Sequence, residues 1–187
     1  SSPWRSGNGD IVKDVADACH AAGLRFGVYL GPWDLHHCDA EKVNYPTYAQ
    51  YFNEQLRELL TNYGTVDEIW FDGAMQQDMN IDWENVYQII LSLQPSCVAF
   101  QGFWITDTGR IRVQWIGNED GLSSDMNWSI MPQALPDSNL FVPSWAEWHG
   151  KEADVSLQGM WFWEDWRKVA SLDQFKNVYL RSVGLNA

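Results

Sequence analysis

Helical and strand patterns alternate along this chain of 187 residues, and the alternation restricts the possible folds more than any other sequence feature. An amphipathic helix is predicted over residues 11–23, because Asp10 is a good N-cap, apolar residues recur at helical spacing, and Gly23 is a good stop. The apolar run at 24–30 then predicts a strand that ends in the turn at 31–34. A helix followed at once by a strand is the repeating unit of a parallel sheet.

The same unit recurs downstream. Helices are predicted at 46–64, 82–94 and 171–184, the last opened by a capping box of Ser171 and Gln174. Strands are predicted at 66–71, 97–101, 111–116, 141–143 and 153–156. Short connections between helices and strands indicate an α/β fold with a parallel sheet covered by helices. The periodicity does not choose between a doubly wound sheet and a barrel, although the G-x-G-x-x-G loop that would favour the former is absent.

Composition restricts the kind of partner. The 25 acidic residues outnumber the 12 Lys and Arg, and a net charge of −13 argues against nucleic acid. There is no apolar run near the roughly 20 residues of a membrane span, and no charged-then-apolar leader follows Ser1. We therefore expect one soluble domain, residues 1–187, with a neutral ligand and three free cysteines. The 12 Trp residues fit a ligand with apolar C–H faces, such as a sugar.

Polar side chains follow the predicted strands at the point where each strand ends: Asp34, Asp72, Gln101, Glu119, and Glu152 with Asp154. In a parallel barrel these ends lie on one face, where active sites of that fold are found. Asp72 directly follows the apolar run Ile69-Trp70-Phe71, so it is either a cap or ion-pair partner, or a residue that acts on a ligand. Two carboxylates are the minimum set for cleaving a glycosidic bond, and Asp72 with Glu119 is the candidate pair.

At these residues the sequence resembles the α-L-fucosidases of glycoside hydrolase family 29, over nearly its whole length. The opening Ser2-Pro3-Trp4-Arg5-Ser6-Gly7-Asn8-Gly9-Asp10 and the stretch Gly27-Val28-Tyr29-Leu30-Gly31-Pro32-Trp33-Asp34 are similar to two consecutive segments of that barrel. More specific are Leu59-Leu60-Thr61-Asn62-Tyr63-Gly64 and Trp70-Phe71-Asp72-Gly73-Ala74. Phe100-Gln101-Gly102 and Trp115-Ile116-Gly117-Asn118-Glu119-Asp120-Gly121 resemble the subgroup that prefers branched α-1,3 and α-1,4 linkages.

The resemblance implies a retaining α-L-fucosidase that needs no metal or cofactor, in which Asp72 is the nucleophile and Glu119 the acid/base. It implies substrate contacts from a further set of side chains: Trp70 lining the pocket, Tyr29, Trp33 and Asp34 at its rim, and Arg112, Glu152 and Trp161. It also implies an incomplete (β/α)₈ barrel with about five of eight strands, and a secreted, periplasmic or lysosomal protein. Two copies that close each other's sheet edges as a homo-oligomer would complete such a barrel.

The sequence also departs from the family pattern. Gln114 replaces the usual Arg before the Trp, for which Arg112 would substitute, and Gln158 and Glu164 replace Arg and His. The His-His-Asp-Gly-Phe stretch that binds fucose in the family has no counterpart. Two alternatives therefore stay open beside the enzyme: a non-catalytic sugar-binding barrel, and an inactive fragment of a longer fucosidase.

Overall fold

The computed structural model describes residues 4–32, 34, 45–72, 81–100, 112–125, 129–131, 147–148 and 150–187. The chain divides into two compact units, Ser1–Ile111 and Arg112–Ala187, which are described separately. The expectation of a single domain stays a prediction.

The first unit alternates helices and strands in the predicted order. Its elements are a 3-10 turn at Trp4–Gly7, α1 (Ile11–Ala21), β1 (Gly27–Tyr29), α2 (Tyr45–Asn62), β2 (Glu68–Trp70), α3 (Trp83–Leu93) and β3 (Val98–Phe100). Strand β2 pairs in parallel with both β1 and β3, and Tyr29, Trp70 and Phe100 share one register position. The carboxyl ends of these three strands therefore meet at one edge.

Local signals set the helix ends in this unit. The Asp10 side chain accepts from the backbone N–H of Lys13 at 3.0 Å, and Asp82 caps α3 through Asn85 at the same distance. These bonds satisfy N–H groups that a helix start leaves without partners. Gly64, with φ +76°, follows the end of α2, where only glycine adopts this backbone conformation without strain.

The core of the first unit lies between the sheet and helices α2 and α3. The helical spacing of the apolar residues turns one stripe of each helix inward, and the fully buried side chains include Phe52, Leu56, Leu60, Val86, Ile89, Ile90, Ile69 and Phe71. Each of them contributes about 1.5–3 kcal/mol by leaving water. Phe71, the residue before Asp72, packs edge-on against Trp83 with ring centres 5.4 Å apart, so this core fixes the backbone that carries Asp72.

The second unit contains β4 (Arg112–Trp115), β5 (Ile130–Met131), β6 (Glu147–Trp148), β7 (Lys151–Glu152), α4 (Leu172–Arg181) and a 3-10 turn at Val183–Leu185. Strands β4 and β7 are parallel, whereas β5 and β6 form an antiparallel pair. The predicted capping box of α4 is present, but the helix ends at Arg181, three residues before the predicted stop at Gly184, which lies in the 3-10 turn.

One strand of this unit is displaced from its predicted place. The strand expected at 153–156 is instead formed by Lys151–Glu152. Within the expected range, Val155 makes an isolated antiparallel bridge to Asp120. Backbone bonds from Gln114 N–H to the Gly150 oxygen (2.9 Å) and from Ile116 N–H to the Glu152 oxygen (3.1 Å) fix the register on polar residues. The strand expected at 141–143 lies outside the described residues. No helix in the described part of the chain has the length and apolar character to cross a membrane.

Candidate active site

Asp72 lies two residues beyond the end of β2, at the edge where the three parallel strands of the first unit finish. Its carboxylate is half-buried and accepts a hydrogen bond at Oδ2 from the hydroxyl of Tyr29, at 2.5 Å. Tyr29 is the last residue of β1, the neighbouring strand. Two of the predicted site residues are thus in direct contact, and a bond this short is typical of a hydroxyl donating to an ionised carboxylate.

A stack of three aromatic rings holds Tyr29 in place. Its ring lies 5.4 Å from that of Trp70 with an interplanar angle of 19°, and Trp70 lies 4.1 Å from Phe100 at 10°. The three residues occupy the same register position on β1, β2 and β3, so Trp70 has a ring on each of its two sides. Both faces of Trp70 are therefore covered by neighbouring rings, so a ligand would meet this residue along its edge.

The surroundings of Tyr29 keep its phenol protonated, so that its hydroxyl can donate the hydrogen bond to Asp72. Partial burial, followed by the hydrogen bond and the negative charge of Asp72, raises the pKa of the Tyr29 phenol well above its ordinary value. The raised pKa favours the protonated phenol in the folded protein. The protonated phenol therefore contributes fully to the stability of the folded protein below the usual phenol pKa of about 10, and this contribution is lost as the pH rises further.

Glu119 is exposed on the loop that follows β4 in the second unit. The side chain of Asn118 ties this loop together: its Nδ2 donates to the Leu122 oxygen at 3.0 Å, and its Oδ1 accepts from the N–H groups of Asp120 (3.1 Å) and Leu122 (3.4 Å). An Asn that bonds to its own turn in this way fixes the backbone on both sides of Glu119.

The loop is also anchored on α4. Gly121 has φ +70°, and a Cβ at this position would lie 2.7 Å from Cγ1 of Val178. Further along, the Ser123 N–H donates to the Arg181 oxygen at 2.9 Å, and the Arg181 guanidinium pairs with Asp125 at 3.1 Å. The carboxylate of Glu119 is thus carried on a rigid turn that places it in solvent.

Strand β7 lies beside the base of this loop. Glu152 is paired in register with Trp115, and the indole N–H of Trp115 donates to Asp154 Oδ1 at 2.6 Å. Trp161, further along the chain, is half-exposed and lines a cavity of about 260 Å³ together with Val155.

The structure thus describes the side chains of seven of the nine predicted site residues: Tyr29, Asp34, Trp70, Asp72, Glu119, Glu152 and Trp161. Asp34 is half-buried after β1, Arg112 is described by its backbone at the start of β4, and Trp33 lies outside the described residues. Sequence reasoning missed Asn118, Gly121 and Phe100 as supporting residues. An Asn and a Gly on either side of an acidic pair form a recognisable turn signal, whereas nothing local identifies Phe100 as a stacking partner. Within the described ranges, no three His, Cys, Asp or Glu side chains group as potential metal ligands.

Comparison with known proteins places this geometry in a family. The family model for alpha-L-fucosidase matches residues 2–129, a stretch that contains both Asp72 and Glu119. The chain is similar to Alpha-L-fucosidase 1 of Arabidopsis thaliana, with 34% identity over 198 residues that cover 100% of this chain and 37% of the relative. It is also similar to the crystal structure of a glycoside hydrolase 29 family member from an unknown rumen bacterium, with 35% identity, a TM-score of 0.81, and coverage of 100% of this chain and 36% of the other.

The chain therefore spans a little over a third of the length of the relatives it matches. The structural likeness confirms the predicted fold class, α/β with an incomplete (β/α)₈ barrel, and five strands have parallel partners. With the family model covering more than half of its residues, the chain belongs to the alpha-L-fucosidase family.

Proposed function

We propose that this chain carries the two catalytic carboxylates of a retaining α-L-fucosidase, which removes terminal fucose from branched oligosaccharides or glycoconjugates. The observation that carries the proposal is the short hydrogen bond from Tyr29 to Asp72 at the carboxyl edge of β2, in a chain of this family. That edge is where the active sites of parallel barrels are built.

The reaction proceeds in two displacements. In the first, a carboxylate oxygen of Asp72 forms a bond to the anomeric carbon of fucose while the bond to the leaving oxygen breaks, and Glu119 gives its proton to that oxygen. In the second, Glu119 takes a proton from a water molecule, whose oxygen attacks the same carbon and releases Asp72. Two inversions at one carbon give net retention of configuration.

The geometry suits these roles for a physical reason. The hydroxyl of Tyr29 holds one oxygen of Asp72 and thereby fixes the plane of the carboxylate, which reduces the reorganisation needed for attack. The rigid, exposed turn around Asn118 leaves Glu119 accessible both to a departing sugar and to water. Trp70, Trp33, Asp34, Arg112, Glu152 and Trp161 are proposed to contact the substrate, and no metal or cofactor takes part.

The partners follow from the same proposal. The alpha-L-fucosidase relative points to a fucosylated substrate for this chain as well. The net charge of −13 supports a neutral glycan and disfavours nucleic acid. A homo-oligomer in which two copies pair their sheet edges stays a prediction, to be checked by light scattering.

Hydrolysis of a chromogenic aryl α-L-fucoside by the purified chain tests the proposal, beside a titration with free L-fucose. We expect turnover that is abolished in Asp72→Gly, whereas Asp17→Asn, which removes the exposed carboxylate of a surface ion pair with Lys13 on α1, serves as the matched control and retains it. Fucose binding without any turnover would instead support the non-catalytic sugar-binding alternative. The absence of both would favour the inactive-fragment alternative.

A further inference from the structure

We propose that Asp154 is a positioning residue: through its hydrogen bond with Trp115 it holds the turn that carries Glu119. The inference rests on the proposed function and goes beyond it, because Asp154 is not among the proposed catalytic or substrate-binding residues. In the sequence it stands out only as one of the polar residues that follow predicted strands.

The first observation is the contact between the two side chains. The indole Nε1–H of Trp115 donates to Asp154 Oδ1 at 2.6 Å, a distance typical of the strong hydrogen bonds that charged groups form. Both residues are half-buried, so water competes with this bond less than it does at the surface. An indole has this one donor and no acceptor. The position of Asp154 therefore determines how the ring of Trp115 is held.

Trp115 stands at the start of the segment that leads to Glu119. It is the last residue of β4 and is paired in register with Glu152, the last residue of β7. The N–H of the next residue, Ile116, donates to the Glu152 oxygen at 3.1 Å. The chain therefore leaves β4 toward Glu119 in a direction that β7 fixes.

The far end of the turn rests on the same segment. Val155, the residue after Asp154, forms an isolated antiparallel bridge to Asp120, the residue after Glu119. Its side chain also lies against Gly121, where an added Cβ would be 3.1 Å from the Cβ of Val155. The end of β7 and Val155 thus hold the two ends of the turn, and Asp154 lies between them.

The bond to Trp115 differs from these other contacts because both of its partners are side chains. The pairing of β4 with β7 and the bridge of Val155 are made by backbone groups, which any residue except proline supplies. A substitution at Asp154 can therefore loosen the start of the turn while the strand pairing remains. The bond needs only an acceptor at this position, and the side-chain oxygen of an asparagine also provides one.

The first unit contains the same arrangement around the nucleophile. Asp72 lies two residues beyond β2 and accepts from Tyr29, the last residue of the neighbouring strand β1. Asp154 lies two residues beyond β7 and accepts from Trp115, the last residue of the neighbouring strand β4. At Asp72 the acid reacts and the aromatic residue orients it. At Asp154 the aromatic residue leads into the reactive turn, and the acid orients that residue.

Substrates differ in how much they depend on the position of Glu119. A sugar alcohol leaves only with a proton, whereas an aryl oxide is stable enough to leave with little protonation. A misplacement of about 1 Å can cost a catalytic group up to about a hundredfold in rate. A looser turn should therefore slow the cleavage of sugar substrates and leave aryl fucosides almost unaffected.

The test measures kcat/KM, which reports the steps up to bond cleavage, on an aryl fucoside and on a branched trisaccharide of galactose, N-acetylglucosamine and fucose. We expect Asp154→Ala to lower kcat/KM about tenfold for the trisaccharide and less than about twofold for the aryl fucoside. Asp154→Asn keeps an acceptor and should retain at least about half of the wild-type value on both. Asp173→Ala, which removes an exposed acid paired with Lys176 on α4, is the matched control and should change neither.

Trp115→Phe removes the donor and tests the same bond from its other side. It should show the same difference between the two substrates, and the double variant with Asp154→Ala should be no slower than the slower single variant, since both changes remove one interaction. Circular dichroism of each variant is measured beside the kinetics. A Trp115→Phe enzyme with the wild-type ratio of the two kcat/KM values overturns the inference, also where Asp154→Ala fails to fold.

Amide hydrogen exchange followed by mass spectrometry tests the anchoring without a substrate. The N–H groups of Ile116 and Leu122 are hydrogen-bonded at the two ends of the turn, and the peptide that contains them should exchange faster in Asp154→Ala than in the wild type or in Asp154→Asn. Unchanged exchange in Asp154→Ala, equal kinetic losses on both substrates, or an Asp154→Asn enzyme as slow as Asp154→Ala overturns the positioning role and leaves the proposed function standing. A wild-type chain that hydrolyses neither substrate refutes the proposed function, and faster exchange that Asp154→Asn reverses then supports the anchoring of the turn by Asp154.

Discussion

Tyr29→Phe removes the hydroxyl that contacts Asp72 and keeps the ring that stacks on Trp70. A hydrogen bond to a charged group contributes about 1.5–3 kcal/mol net in a protected site. Because Tyr29 is 59% exposed, water competes for the carboxylate, and we take about 1 kcal/mol as the effect on the transition state. This value corresponds to a roughly fivefold loss of rate.

Steady-state hydrolysis of an aryl fucoside separates this role from a general structural one. If Tyr29 orients the nucleophile, kcat falls about fivefold while KM and the melting temperature change little. Tyr63→Phe is the matched control, since its hydroxyl donates to Asp10 at 3.3 Å, at the start of α1, and its loss should leave kcat unchanged. A Tyr29→Phe enzyme with wild-type kcat, or equal losses in both variants, would refute the reasoning.

Three further predictions concern other parts of the chain. Glu119→Gln should slow substrates with poor leaving groups far more than activated aryl fucosides, and equal losses on the two would contradict the acid/base role. Gly121→Ala should lower the free energy of unfolding by about 1–3 kcal/mol in a denaturant titration, because it adds a clash with Val178 to the strain of a positive φ. Gly159→Ala, with φ +71° and open space around the Cβ, is its control, and an equal loss there would show that the clash is unimportant. Cys97 is buried and its pKa is raised to about 12 by that burial, so iodoacetamide at pH 8 should leave it unmodified until the chain unfolds. Its modification in the native state would contradict the described packing.

The features that the sequence predicts well are those with local causes. The caps at Asp10 and Ser171 are where the sequence places them, because a cap depends on a side chain and the backbone within three residues of it. The parallel strands β1 to β4 lie within their predicted ranges, since each range contains a run or an alternation of apolar residues that ends in turn residues.

The features that the sequence misses depend on distant partners. Strand β7 consists of two polar residues, whose position is set by backbone hydrogen bonds to β4 and not by an apolar pattern. Strands β5 and β6 have two residues each, too few to show the alternation of apolar and polar residues that identifies a strand. Tyr29 and Asp72 are both expected at strand ends, but their bond joins residues 43 positions apart and requires the strand register. Gln158 and Glu164 are visible in the sequence as separate departures, and the contact between them needs the folded loop.

Covalent trapping tests the central claim most directly. A 2-deoxy-2-fluoro-fucosyl fluoride slows the breakdown of a fucosyl-enzyme ester more than its formation, so that the ester accumulates and can be located by mass spectrometry of the digested protein. The account predicts one adduct, on the peptide that contains Asp72, and none in Asp72→Gly. Hydrolysis that proceeds with the adduct on another residue, or without any adduct and with inverted configuration of the released fucose, would contradict it.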